Sequence, residues 1–182
     1  MTKIFFIILS VVFSLIPNIA KTELIDTLKE NNKLIFIRHA LAPGNGDPDE
    51  FNILDCNTQR NLDSVGREQS LRLGQYFKIN DIPIEAVLSS EWCRCKETAK
   101  LAFQNYETFK PLNSFYDPKF YKNKESQLIN LKKFINNLQD EGNIVFVTHY
   151  VVIAAMFGVG VTSGEILIVD RNLNVLGSIE EY

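Results

Sequence analysis

Two short runs, Leu34-Ile-Phe-Ile37 and Ile144-Val-Phe-Val147, constrain this chain more than any other feature. Each is apolar at four consecutive positions and rich in β-branched and aromatic residues, without the alternation of a strand that has one wet face. A strand of that kind must be covered on both sides. Around these runs the period changes to that of helices. Residues 63–77 carry Leu71, Leu73, Tyr76 and Phe77 at helical spacing behind Asp63 or Ser64 as a cap; residues 125–138 carry Leu128, Leu131, Phe134, Ile135 and Leu138. Ala86-Val-Leu-Ser-Ser90 predicts another strand, followed by a helix over 91–105. Shorter helices are expected over 23–32 and 151–157, and a hairpin over 165–170 and 174–179 around Arg171-Asn-Leu173. Gly142 is expected to end the 125–138 helix. Pro43-Gly-Asn-Gly-Asp-Pro48 reads as a loop, and residues 111–124 as an irregular stretch broken by Pro111 and Pro118. Strands alternating with helices predict an α/β chain, a three-layer α/β/α sandwich around a mainly parallel sheet. Such sheets bind ligands beyond the carboxyl ends of their strands.

The first twenty residues stand apart from that pattern. Lys3 precedes Ile4 to Ile16, which is apolar except for Ser10 and Ser14, and Pro17 then breaks the run before Ala20. The run is too short for the ~20 residues of a comfortable membrane span and fits a secretory signal. Asn18 is a poor fit two positions before a cut at Ala20, so a retained N-terminal anchor stays open as the only membrane contact. The expected organisation is a signal or anchor over 1–20 and one domain over 21–182, in a secreted or periplasmic protein. An oxidising compartment permits one disulfide among the three cysteines. Cys93 and Cys95 diverge on a helix, so Cys56 is expected to pair with one or the other. A zinc site is disfavoured, because neither C-x-x-C nor H-x-x-x-H spacing occurs. The net charge of -3 and the lack of basic runs exclude an electrostatic footprint for nucleic acid.

The chain contains two histidines, and both follow the constraining runs: Arg38-His39 after the first, Thr148-His149 after the second. One histidine at a strand end is ordinarily a satisfied core residue. Both of the chain's histidines at equivalent places suggest a shared site. Arg94 falls in the first turn of the helix after the third strand, where a guanidinium fork and the helix dipole favour an anion. Arg38 ends a buried strand, where an unpaired charge is costly. Two arginines and two histidines, with no matching carboxylate read between them, suit a dianion, and phosphate best. Trp92, Phe115, Tyr116, Phe120 and Tyr121 serve equally well as a pocket mouth or as loop packing.

Arg38-His39-Ala40, Arg60-Asn-Leu-Asp-Ser-Val-Gly66, Ser89-Ser90 with Arg94 and Thr98-Ala99, and Val147-Thr-His149 resemble the histidine phosphatase superfamily, which includes the phosphoglycerate mutases. The elements run in the family's order across nearly the whole chain after the signal. The resemblance implies a phosphoglycerate mutase-like fold and a phosphatase acting on a phosphorylated small molecule or phosphoprotein, with no cofactor and no metal. It makes His39 the nucleophile, with Arg38 and Arg94 gripping the phosphoryl oxygens and His149 stabilising the transition state. Arg60 and Asn45 are implied as further phosphate contacts. A mutase is the first rival, and a phospho-ligand binder without turnover the second. The departure is the general acid. Many members carry Glu where this chain reads Pro111-Leu-Asn113-Ser114-Phe115, and another branch carries Asp where Tyr150 stands. Asp47, Asp49, Glu50, Glu91 and Asp117 are candidates to replace it, each with a solvated loop charge as its ordinary reading. Without a strong acid, a P–N bond, an acyl phosphate or an acidic ester would suit the site.

Overall fold

The computed structural model describes residues 22–139 and 141–182, so the expected signal at 1–20 lies outside the described residues. In order, the elements are α1 (22–29), β1 (Leu34–Arg38), α2 (Ser64–Ile79), β2 (Ala86–Ser89), α3 (Cys93–Phe103), β3 (Glu107–Thr108), α4 (Pro118–Tyr121), α5 (Lys124–Asn136), β4 (Ile144–Thr148), α6 (Tyr150–Phe157), β5 (Ile166–Val169) and β6 (Val175–Ile179). The strands form one six-stranded sheet in the order β3-β2-β4-β1-β5-β6. β1, β2, β3 and β4 are mutually parallel, whereas the hairpin of β5 and β6 joins antiparallel beside β1.

Both faces of the sheet are covered, which accounts for the unbroken apolar runs. Ile35, Ile37, Val87, Val145 and Val147 meet Leu73 and Phe77 of α2 and Ala99 of α3 on one face. Leu34, Phe36, Leu88, Ile144 and Phe146 meet Leu131 and Ile135 of α5 and Val152 and Ile153 of α6 on the other. The Phe36 and Phe146 rings stack across β1 and β4 with centroids 4.7 Å apart. Each such side chain contributes roughly 1.5–3 kcal/mol by leaving water. The architecture is the expected three-layer sandwich.

The register places the site. β1 and β4 pair from Leu34 with Ile144 to Arg38 with Thr148, so the next residue of each strand, His39 and His149, leaves the sheet beside the other. α2 starts at Ser64 under an Asp63 cap whose carboxylate accepts from the Gly66 N–H at 2.8 Å. α6 starts directly after His149 and ends at Gly158, left-handed at φ 72°.

Several boundaries differ from expectation. α5 stops at Asn136, with Asn137 as its cap, so Gly142 is not its terminator. Pro118 opens a four-residue helix, α4, instead of breaking one: its missing N–H costs nothing at a first helical position. The two residues of β3 are too few to show a period.

Candidate active site

His39 is held by the backbone on both sides. Its N–H donates to Thr148 O at 2.9 Å, the Ala40 N–H donates to Thr98 Oγ1 at 3.0 Å, and the Leu41 N–H donates to Gln69 Oε1 at 2.9 Å. α2 presses against this turn so closely that a Cβ on Gly66 would lie 2.0 Å from Leu41 O. Within that frame the imidazole Nδ1 lies 2.8 Å from Ala40 O. A carbonyl only accepts, so Nδ1 carries the proton and Nε2 keeps its lone pair. The ring is 3 % exposed.

The His149 ring sits 5.4 Å from that of His39, centroid to centroid. Its Nε2 is 2.9 Å from Ser90 Oγ, which itself donates to Asn113 Oδ1 at 3.1 Å. The hydrogen-bond network therefore assigns the proton to Nε2, donating to Ser90. Burial first, then the Arg94 guanidinium, pushes the pKa of both imidazoles well below the usual histidine range. Cys95 lies beside them, 3.5 Å from His149 Nε2. Burial raises its thiol to about 12, so it stays a protonated packing residue.

Three guanidinium groups surround this pair. Arg38, at the end of β1, donates through Nη1 to Val161 O at 2.8 Å. Arg60 reaches Gly46 O through Nε at 2.8 Å and Ala42 O through Nη1. These bonds pin the loop in which Gly46, at φ 68°, turns the chain between Asn45 and Asp47. Arg94, the second residue of α3, meets a carboxylate that the sequence reading did not place there. Asp47 accepts from Arg94 Nη1 at 2.7 Å and from Nη2 at 3.2 Å. It also accepts from the Arg60 N–H and from Trp92 Nε1, both at 3.0 Å. The partners' side chains are 3 % and 8 % exposed. Burial works against the Asp47 charge, but these donors outweigh it and hold the carboxyl below its ordinary pKa. The expectation of arginines without a matching carboxylate is corrected on this point, and Asp47 is committed as an anchor. It takes the outer end of the Arg94 fork and leaves Nε without a partner; the buried Nε of Arg38 also has none.

All six residues singled out from the sequence, Arg38, His39, Asn45, Arg60, Arg94 and His149, line one cavity of about 340 Å³. Gly46, Asp47, Ser114, Tyr116, Asp117, Phe120, Tyr150 and Val151 complete its wall. The aromatic residues divide by place. Tyr116 and Phe120 face the cavity, and Phe115 is buried in the core beneath α5. Trp92 stacks on Phe51 at 5.0 Å, and Tyr121 is 60 % exposed. Among the other candidate acids, Glu91 is bound by Asn113 Nδ2 and shares a separate groove with Asp49 and Glu50. Cys56 and Cys93 form a disulfide, fastening the loop before Arg60 to the start of α3, and Cys95 is the free cysteine. Sequence reasoning missed Asp47 as the partner of Arg94 because they lie 47 positions apart with no local pattern joining them. It quoted Thr98 and Ser90 only as parts of a motif, without the bonds they make.

Residues 34–113 match the sequence model of the histidine phosphatase superfamily (branch 1). No curated protein matches the sequence. Among solved structures, the protein histidine phosphatase SixA complexed with tungstate is 16 % identical with a TM-score of 0.54, over 81 % of this chain and 96 % of that one. Phosphoglycerate mutase from Thermus thermophilus is 19 % identical with a TM-score of 0.58, over 81 % and 98 %. A mycobacterial glucosyl-3-phosphoglycerate phosphatase in complex with VO3 is 14 % identical with a TM-score of 0.55, over 76 % and 92 %. At such identities these neighbours speak for the fold, which is phosphoglycerate mutase-like. By sequence over residues 34–113, and by fold over most of its length, the chain resembles the histidine phosphatase superfamily.

Proposed function

We propose that the protein is a phosphatase that hydrolyses a phosphomonoester or a P–N phosphate through a phosphohistidine on His39. The observation that carries this reading is the His39 ring, whose Nδ1 is fixed against Ala40 O and whose Nε2 is left as a lone pair in a cavity lined by three guanidinium groups. A neutral imidazole attacks phosphorus without first losing a proton, and the lowered pKa keeps it neutral through ordinary pH. Phosphoryl transfer through a loose transition state spreads charge over the equatorial oxygens, so preorganised cations supply most of what is needed. Arg38 and Arg94, whose guanidinium groups line the cavity, grip those oxygens. Arg60 and Asn45 add contacts at the same end. His149, whose Nε2–H is held by Ser90, stabilises the charge on the transferring group by taking a proton at Nδ1 as the phosphoryl dianion arrives. Water then attacks the phosphohistidine, releasing phosphate and restoring His39. The guanidinium groups take the charge-neutralising part, so the reaction is expected to proceed without a metal.

The same reading places the protein outside the cytoplasm, secreted or periplasmic, with the N-terminal segment either removed or kept as an anchor. The signal-like run Ile4 to Ile16 and the Cys56–Cys93 disulfide support that location.

The test pairs p-nitrophenyl phosphate with phosphoramidate on the purified protein and on His39→Ala. Turnover is expected in the wild type, with a loss of roughly 10⁴-fold or more in the variant, as when a covalent nucleophile is removed. Comparable turnover in both proteins would end the phosphohistidine mechanism. Vanadate binding without any turnover would indicate a phospho-ligand binder instead.

A further inference from the structure

We propose that Asp117 is the proton donor to the leaving group in this cavity, an assignment that rests on the phosphatase reading above. Ser114 belongs to the stretch 111–115, where the resemblance leads one to look for a carboxylate and finds none. It lines the cavity, but its Oγ accepts from the Tyr116 N–H at 3.2 Å, and a hydroxyl is a poor acid near neutral pH. Of the carboxylates on the wall, Asp47 is taken by four donors and held ionised as the anchor of Arg94. Glu91, Asp49 and Glu50 lie in the neighbouring groove. Asp117 is the remaining carboxylate on the cavity wall among the described residues.

Its geometry suits a proton carrier. Oδ1 caps α4 by accepting from the Lys119 N–H at 2.9 Å. That bond fixes the carboxyl, while Oδ2 forms an ion pair with Lys119 Nζ at 3.7 Å, too long for a hydrogen bond. The side chain is 30 % exposed, so solvent reaches it. It sits on the same wall as Tyr116 and Phe120, in the segment separate from the strand ends that present His39 and His149. A substrate whose phosphoryl group occupies the arginine end therefore projects its leaving group toward this wall. The charged groups around the cavity are Arg38, Arg60, Arg94 and Asp47, with Lys119 beside Asp117 itself.

As His39 Nε2 bonds to phosphorus, the P–O bond to the leaving group breaks, and the Asp117 proton passes to the departing oxygen. The resulting carboxylate then takes a proton from the attacking water while the P–N bond breaks. Phosphate departs, and His39 and the carboxyl return to their starting states.

Asp117→Asn tests this, since asparagine keeps the size and the helix-capping ability of aspartate but carries no acidic proton. The first turnover of the full-length variant is compared on 2,4-dinitrophenyl phosphate, whose leaving group needs no proton, and on an alkyl phosphate, whose leaving group does. The alkyl rate is expected to fall by about 10²–10⁴-fold, while the dinitrophenyl rate changes less than about threefold. Equal losses on both esters, or none on either, would overturn the assignment and leave the phosphohistidine mechanism standing. Activity that survives His39→Ala would overturn both.

Discussion

The two ends of the cavity are built by different means. At the closed end, the two histidines, Arg38 and Arg94 are set by strand ends or by the start of a helix behind them, and Arg60 and Asp47 by loops packed onto them. His39 and His149 leave paired strands, and Arg94 opens α3. Asp47 is buried against Arg94, and the disulfide ties the adjoining loop down. At the open end, Tyr116, Asp117 and Phe120 sit on a short irregular segment around the four-residue α4, and Tyr150 lies on the first turn of α6. Tyr116 and Tyr150 are 52 % and 46 % exposed. The closed end is preorganised for one charged group, whereas the open end is a surface against which different leaving groups can lie. On the proposed phosphatase reading, phosphate recognition is the work of the fold, and choice of substrate that of the segment from 113 to 121.

The largest effect is expected where the closed end depends on one carboxylate. Asp47→Ala leaves the Arg94 guanidinium, 3 % exposed, without its carboxylate, keeping only the bond from Nη1 to Arg60 O at 3.2 Å. Breaking a buried pair of this kind costs about 3–5 kcal/mol of stability, measurable by urea unfolding, and activity should fall with it because Arg94 loses its aim. Asp47→Asn keeps an acceptor without the charge and should lie between the two. An alanine variant as stable as the wild type would show that the closed end is not held as described, and the contrast between the ends would collapse.

Arg94→Ala comes next. It removes a donor preorganised for the transition state, so kcat/KM is expected to fall by at least ~2.7 kcal/mol, about 100-fold. Arg94→Lys should recover little of this, because one ammonium cannot hold both oxygens of Asp47 and still offer a second edge to a phosphoryl oxygen. Full activity in the lysine variant would reduce the fork to a simple positive charge.

The difference between the ends also explains what could be read from the sequence. Strands β1, β2 and β4, the four main helices and the closing hairpin were legible because a packed sheet imposes period 2 or an apolar run, and its covering helices impose period 3.6. His39, His149 and Arg94 were legible by position, since each follows such a pattern directly. The bond between Asp47 and Arg94 was not, because a loop residue meeting a distant helix leaves no periodic trace. For the same reason Glu91 and Asp47 could not be distinguished as acids until their partners, Asn113 and Arg94, were in place. The helix at Pro118–Tyr121 is a single turn, too short to show a face, so the wall of the open end stayed an irregular stretch.

The smallest effect is expected at that wall. Tyr116 is 52 % exposed and makes one backbone hydrogen bond, to Ser114 Oγ, which an alanine would keep. Tyr116→Ala should therefore leave stability within about 0.5 kcal/mol of the wild type, as for surface positions generally. Its ring can act only on the part of the substrate beyond the phosphoryl group, and such binding is felt alike in the ground and transition states. The expected outcome is a higher KM with kcat unchanged, by up to about tenfold for a bulky aromatic ester and not at all for phosphoramidate, which has nothing to lay against the ring. A large fall in kcat on phosphoramidate would mean that the open end helps to hold the closed end in shape. The two ends would then be one preorganised unit, and substrate choice could not be altered at the 113–121 segment without loss of the chemistry.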